Sequence, residues 1–256
     1  MSVKKLAAAV TLATLSLNAF AEGDELGIKA DVELGFISTT GNTESESLIG
    51  KINVKQNLTG WRNTYILETL FKNDTITNED TLDEESTRTA QRLFVSAQGD
   101  YKLDDKYKAV FIYGSYEDDR FSGFDYQGVI AAGFTDRLFE NAKSHLNYAV
   151  GPGISFTKTD DVEGVEGETD ESFIVRLSLE YLYQFNDNVK FTQTLGADIA
   201  GESDANTRVK AESALTANLN SSLALKASFL ANHNTEVDDA VEKTDTQTAV
   251  TLVYTF

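Results

Sequence analysis

The chain has 256 residues, no cysteine, two histidines, one proline, and 22 Lys+Arg against 41 Asp+Glu, for a formal net charge of −19. Without cysteine there is no disulfide framework, thiolate metal site or thiol nucleophile, and two histidines leave almost no room for an imidazole-rich metal cluster. The acidic excess repels phosphates and argues against nucleic acid as a partner, and no cofactor is expected.

In chain order, the N-terminus reads as an export signal. Lys4 and Lys5 form a positive n-region, Leu6 to Leu17 an apolar run, and Ala19-Phe20-Ala21 a small-x-small cleavage site. This predicts a signal peptide over 1–21, cleaved after Ala21, and one domain over 22–256; an uncleaved N-terminal anchor is the alternative. Downstream, no apolar run reaches the roughly 18 residues a transmembrane helix needs.

The dominant pattern downstream has period two. Phe173, Val175, Leu177, Leu179, Tyr181, Tyr183 and Phe185 alternate with polar residues such as Arg176, Ser178, Glu180 and Gln184. A helix scatters such residues around its circumference, whereas a strand puts them on one face. The same alternation predicts twelve strands, near 27–40, 44–58, 61–72, 88–103, 107–116, 125–138, 144–157, 172–185, 189–200, 207–219, 223–234 and 244–256. Their connections alternate between short turns (Thr59-Gly60, Asn186–Asn188, Asn220–Ser222) and longer stretches (73–86, 117–124, 158–171, 235–243). An even strand count with short turns at one end and long loops at the other predicts an all-β fold: a transmembrane, antiparallel, up-and-down barrel of the bacterial outer membrane.

A secreted sandwich or lipocalin-like barrel also alternates, with its apolar face buried. Aromatics at strand ends (Trp61, Tyr101, Tyr107, Tyr181, Tyr183, Phe185, Tyr254), the near absence of proline and the terminal strand Tyr254-Thr255-Phe256 favour the membrane. That ending resembles the signal outer-membrane proteins present to the barrel-assembly machinery. It implies that machinery, outer-membrane lipids and lipopolysaccharide as partners.

With the apolar face turned to lipid, the lumen face carries both signs of charge, among them Lys29, Asp31, Glu33, Lys51, Lys55, Arg62, Glu68, Arg176, Glu180, Lys190, Asp198, Lys210, Glu212 and Lys226. Hairpin parity sets the register. A turn at Gly41-Asn42-Thr43 places Glu33 opposite Lys51, Thr59-Gly60 places Lys51 opposite Glu68, and the turn at 186–188 places Arg176 opposite Asp198. These pairs either pin register inside a narrow barrel or tune selectivity. Twelve strands at about 4.8 Å spacing and about 40° tilt leave a free lumen of roughly 10 Å, a gap that long charged side chains can close. Gly114, Gly133, Gly151, Gly153 and Gly196 are also assigned to the lumen face, with a bulge expected at Pro152, which cannot donate to a ladder.

The long connections, with 201–206, hold 22 acids against three bases, Arg120, Lys158 and Lys243, so the charge concentrates at one end of the barrel. Acidic loops stay solvated; the sharper reading is a weak divalent-cation site or a cation-attracting vestibule, in a pattern that fits no EF-hand. His145 lies near a short turn and His233 near the long-loop rim, and neither has a serine two residues away. Asp118-Asp119 with His233 makes a poor protease constellation, and the chain reads as non-enzymatic.

Two segments carry a resemblance, Gly35 to Thr43 (GFISTTGNT) and Tyr116 to Gln127 (YEDDRFSGFDYQ). Through Thr40, Gly41, Asn42, Asp119, Arg120 and Gly123 the chain resembles the salt-induced outer membrane protein family, a domain of unknown function. The resemblance implies a Gram-negative outer-membrane barrel and supplies no catalytic residues. Gly41-Asn42 suits a turn needing positive φ, and Arg120 is expected to pair with Asp118, Asp119 or Asp125. The leading reading is an integral outer-membrane barrel, either a narrow pore or a structural envelope protein linked to salt response. The alternative is a cation-dependent surface-binding or adhesion module.

Overall fold

A computed structural model describes residues 26–39, 44–77, 84–103, 106–120, 122–159, 167–202, 205–237 and 242–256. The expected signal peptide over 1–21, the expected Gly41-Asn42-Thr43 turn with Thr40 before it, and much of the expected acidic connections lie outside these residues. The strands run β1 Gly27–Thr39, β2 Glu44–Asn57, β3 Trp61–Thr77, β4 Glu84–Lys102, β5 Ala109–Asp119 and β6 Phe124–Glu140. They continue as β7 Ser144–Thr159, β8 Thr169–Asn186, β9 Val189–Ala200, β10 Arg208–Asn218, β11 Leu223–Asn234 and β12 Thr244–Thr255. Each pairs antiparallel with its chain neighbours, and β12 returns to β1, closing the barrel. Closure matters energetically, because an open sheet edge in hydrocarbon leaves unpaired amides that cost several kcal/mol each.

The alternation becomes an inside and an outside. Along β5, relative exposure runs Ala109 0%, Val110 49%, Phe111 2%, Ile112 59% and Tyr113 8%. Leu34, Phe36, Ile130, Phe173, Val250 and Leu252 are likewise large, apolar and exposed, and they belong to an outward apolar wall. At the short-turn end, aromatics pair on this surface: Trp61 with Tyr101 at 5.4 Å between ring centroids, Tyr183 with Phe185 at 5.0 Å and Tyr254 with Phe256 at 4.6 Å. Tyr116 stacks on Tyr126 toward the opposite end.

Two strands are longer than their alternation predicts. β3 runs on to Thr77 and β4 begins at Glu84, so most of the connection expected over 73–86 is a hairpin projecting beyond the apolar band. The third long connection is also shorter, because β5 reaches Asp119 and β6 starts at Phe124, and Gly123 makes the tight turn with φ 80°.

Two expectations are corrected. Gly114 faces outward: it stands opposite the exposed Ile130, and a Cβ there would meet nothing within 4 Å. No bulge forms at Pro152, since β7 stays in register with β8 through Gly151, Pro152 and Gly153. The accommodation lies on the other side, where β6 and β7 approach so closely that a Cβ on Gly133 would lie 2.2 Å from the Val150 carbonyl oxygen.

The closing seam is short. β1 and β12 pair only over Asp31–Leu34 and Leu252–Thr255, and the Phe256 amide donates to the Ala30 carbonyl at 2.9 Å.

Candidate functional site

The lumen has two unlike halves. On the inner face of β5 to β8, Phe111, Tyr113, Val129, Ala131, Ala149 and Ile174 form a buried apolar cluster, so this part of the interior is packed like a small core. The rest of the interior is polar and charged, and it reaches the cluster's own strands through Glu117 on β5 and Arg176 on β8.

Register sets the charged part. Glu33 stands opposite Lys51, Lys51 opposite Glu68, and Arg176 opposite Asp198. Contacts follow register only in part. Lys51 reaches Glu68 at 2.9 Å and Arg176 reaches Asp198 at 2.5 Å. The Glu33 carboxylate is instead engaged by Lys226, which donates to both its oxygens at 3.1 Å from two strands away.

The contacts that sequence reasoning missed cross the barrel. Lys51 Nζ on β2 meets Glu212 on β10 at 3.2 Å, and Lys210 on β10 meets Glu68 on β3 at 2.6 Å. Arg208 on β10 meets Glu117 on β5 at 3.1 Å and Asp198 on the neighbouring β9 at 3.4 Å. Arg92 links Glu68 at 3.6 Å to Glu117 at 3.9 Å, and Lys226 joins Glu212 at 2.6 Å. Traced in order, the groups alternate in sign: Arg176, Asp198, Arg208, Glu117, Arg92, Glu68, Lys51, Glu212, Lys226, Glu33, with Lys210 as a branch on Glu68. The chain runs across the lumen. Its apolar anchors are Tyr113, whose ring lies 3.5 Å beneath the Arg176 guanidinium carbon, and Phe94, 4.2 Å from Lys210 Nζ.

This geometry follows from barrel width. Side chains from facing walls each extend several Å into a free diameter of roughly 10 Å, so a lysine and a glutamate on opposite walls can touch. Glu68, Arg92, Asp198 and Lys226 are all under 10% exposed, as buried charges are when each carries an opposite partner. Above the chain, Gln127 links this network to the rim: its amide nitrogen donates to Asn234 Oδ1 at 3.5 Å, and its oxygen accepts from Arg208 at 3.0 Å.

Glu117 was expected in an acidic outer loop and instead belongs to this chain. Its assignment to the loop followed from ending β5 too early. The expected ion pair of Arg120 does not form among the described residues: its side chain is exposed, and Asp125 is taken by Lys158 at 3.4 Å. Asp119 stands opposite Arg92 in the ladder, and Gly123 supplies the positive-φ turn. His233 Nδ1 lies 2.8 Å from the Thr244 hydroxyl at the rim, and His145 sits near the short-turn end of β7.

At the short-turn mouth a second network forms. Arg137 binds Glu140 at 2.7 Å and donates from Nε to Asn147 at 2.9 Å, with its guanidinium 4.1 Å from the Tyr107 ring. The Tyr107 hydroxyl also donates to Glu140.

A closed twelve-strand barrel with an apolar exterior and a charged interior has the outer-membrane barrel fold. The fold matches the translocator domain of the autotransporter NalP from Neisseria meningitidis with TM-score 0.52 and 12% identity, covering 94% of this chain and 91% of that one. It also matches the COG4313 outer membrane channel from Pseudomonas putida F1 with TM-score 0.50 and 11% identity, covering 93% and 100%. The chain belongs to the family described as "Protein of unknown function, DUF481", whose model matches residues 32–256. A relative in Escherichia coli (strain K12), "Uncharacterized protein YdiY", is 28% identical over 228 residues, which is 88% of this chain and 82% of the relative.

Proposed function

We propose that the protein is an integral outer-membrane barrel whose lumen forms a narrow ion path, held nearly shut at mid-height by the alternating ion-pair chain. The observation that carries this reading is direct contact between far walls, Glu68 with Lys210 at 2.6 Å and Glu117 with Arg208 at 3.1 Å. The outward apolar wall and its aromatic pairs support placement in the outer membrane, with the short turns and both strand termini on the periplasmic side. Lipid and lipopolysaccharide would then contact the apolar wall, and the assembly machinery would read the terminal Tyr254-Thr255-Phe256 strand.

Buried polar atoms that make no hydrogen bond within the protein, Asn53 Oδ1, Arg62 Nε, Arg92 Nε and Ser115 Oγ, fit an aqueous interior, because water satisfies such groups. The path would run on the side away from the Phe111 cluster and past Gly196, where an added Cβ would meet nothing within 4 Å. A link to salt has a physical basis here. Mobile ions compete for partners in a hydrated ion-pair chain and screen it over a Debye length of about 8 Å at physiological ionic strength.

Reconstitution in planar bilayers tests the reading. Wild type should give small discrete steps whose conductance rises more steeply with salt than the bulk solution does. Glu212→Gln and Lys210→Gln, which remove cross-lumen contacts, should enlarge the steps, and neutralising Lys51 should change ion selectivity. Absence of conductance from wild type and variants at every salt concentration refutes the path and leaves a structural barrel.

A further inference from the structure

The cations of the lumen divide into two groups. Those of the mid-height chain each hold a carboxylate within 4 Å, and so do Arg62, 3.8 Å from Asp100, and Arg137, 2.7 Å from Glu140. Three lysines at the short-turn end do not follow this rule. Lys29 and Lys190 make no hydrogen bond or ion pair among the described residues. Lys55 forms no ion pair within 4 Å among the described residues; the Glu180 carboxylate that faces its charge stands on β8, diametrically across the barrel, and accepts a hydrogen bond from Asn147 at 3.3 Å.

The placement of two of these lysines is unusual. Lys29 and Lys55 stand directly opposite each other on β1 and β2, on the face that higher up carries Glu33 and Lys51. Like charges directly opposed across a strand pair are destabilising, and neither lysine has a carboxylate within 4 Å among the described ion pairs. Next in the same row is Thr64, whose hydroxyl makes no hydrogen bond among the described residues. One step below it on β3 is Arg62, whose Nη2 donates to the Tyr107 carbonyl at 3.1 Å and whose buried Nε makes no hydrogen bond, its carboxylate neighbour Asp100 standing 3.8 Å away. Three adjacent strands therefore bring two lysines, a threonine hydroxyl and a guanidinium N–H that makes no hydrogen bond to one region of the lumen mouth, where only Arg62 has a carboxylate within 4 Å among the described ion pairs.

We infer that the periplasmic mouth of the lumen, on β1 to β3, is a binding site for a small oxyanion of the phosphate class, held by Lys29, Lys55 and Arg62. An oxyanion of two or more charges supplies acceptors to all four donor groups at once, which a halide cannot do. Its negative charge also removes the repulsion between the two lysines. The opposite end of the barrel is acidic, so an anion reaches the site from the short-turn side. The site does not depend on whether the lumen conducts, and its test uses no current measurement.

Calorimetry of the full-length protein in detergent micelles, titrated with inorganic phosphate at constant ionic strength, tests the inference. Saturable binding in the millimolar range or tighter is expected, competed by sulfate and unaffected by replacing chloride with nitrate. The double variant Lys29→Gln, Lys55→Gln should bind at least 10-fold more weakly, while Lys29→Arg, Lys55→Arg retains binding and Lys143→Gln, on an exposed turn, leaves it unchanged. Heat-modifiable gel migration checks that each variant is a closed barrel. No saturable heat up to 10 mM phosphate, or equal binding by wild type and a folded double glutamine variant, overturns the inference.

Discussion

Glu68→Gln is the most informative single change. Its carboxylate receives Lys51 at 2.9 Å, Lys210 at 2.6 Å and Arg92 at 3.6 Å, and its side chain is only 11% exposed, so solvent screening is weak. Glutamine keeps the shape and part of the hydrogen bonding and removes only the charge. At an effective dielectric near 20, each contact close to 3 Å is worth on the order of 5 kcal/mol before desolvation. Desolvation offsets much of that, and Lys51 retains Glu212 at 3.2 Å while Arg92 retains Glu117 at 3.9 Å. Lys210 has no second carboxylate among the described ion pairs, so it becomes an uncompensated cation in the lumen. Breaking a buried pair from one side costs about 3–5 kcal/mol, which for a chain of this size lowers the unfolding temperature by on the order of 10 °C. The assay is the fraction of compact, fast-migrating barrel on gels after heating in detergent over a temperature series. A midpoint within about 2 °C of wild type would refute the view that this chain of charges holds the walls together. It would mark the chain instead as hydrated and energetically neutral.

Three further outcomes are expected. Gly133→Ala should prevent formation of the heat-modifiable barrel or cost more than about 3 kcal/mol, because its methyl would lie 2.2 Å from the Val150 carbonyl oxygen and 2.6 Å from Gly151 Cα, both of them backbone. Gly114→Ala, outward with nothing within 4 Å, should be neutral or stabilise by a few tenths of a kcal/mol, and equal behaviour of the two in thermal gel shifts would contradict the close strand approach. The chain has one tryptophan, Trp61, 40% exposed at the short-turn girdle, so fluorescence reads that position alone. In vesicles its emission should be blue-shifted and quenched by lipids brominated near the headgroup more than by those brominated at the chain end; water-like, unquenched emission would contradict the membrane placement.

The twelve strands and their register were legible because two independent signals agree along most of the chain, an outward apolar set with period two and an inward charged set of the opposite parity. Where one signal fails, so does the reading. In β5 the run Ala109-Val110-Phe111-Ile112-Tyr113 is apolar on both faces, since the inner face packs into the Phe111 cluster while the outer face meets the exterior. Alternation there carries no parity, which turned Gly114 inward and left Glu117 in a loop. The β3–β4 hairpin was cut short for the opposite reason. Beyond Lys72 the sequence is polar at successive positions, as in Asn73-Asp74-Thr75 and Glu84-Glu85-Ser86, and gives no alternation to follow. The cross-lumen contacts were illegible for a geometric reason, because which residue of β10 meets which residue of β3 depends on tilt and stagger around the whole barrel. Pairing between sequence neighbours depends on one turn only.

The seam between the first and last strands joins the wall to its contents. Lys226 projects from β11 past β12 to grip Glu33 on β1, and Thr251 on β12 points its hydroxyl at the same carboxylate from 3.5 Å. Where backbone pairing is shortest, a lumen side chain therefore acts as the latch. If the lumen is the path proposed above, a solute that drew Lys226 from Glu33 would remove a tie between β11 and β1 at the shortest strand pairing of the barrel.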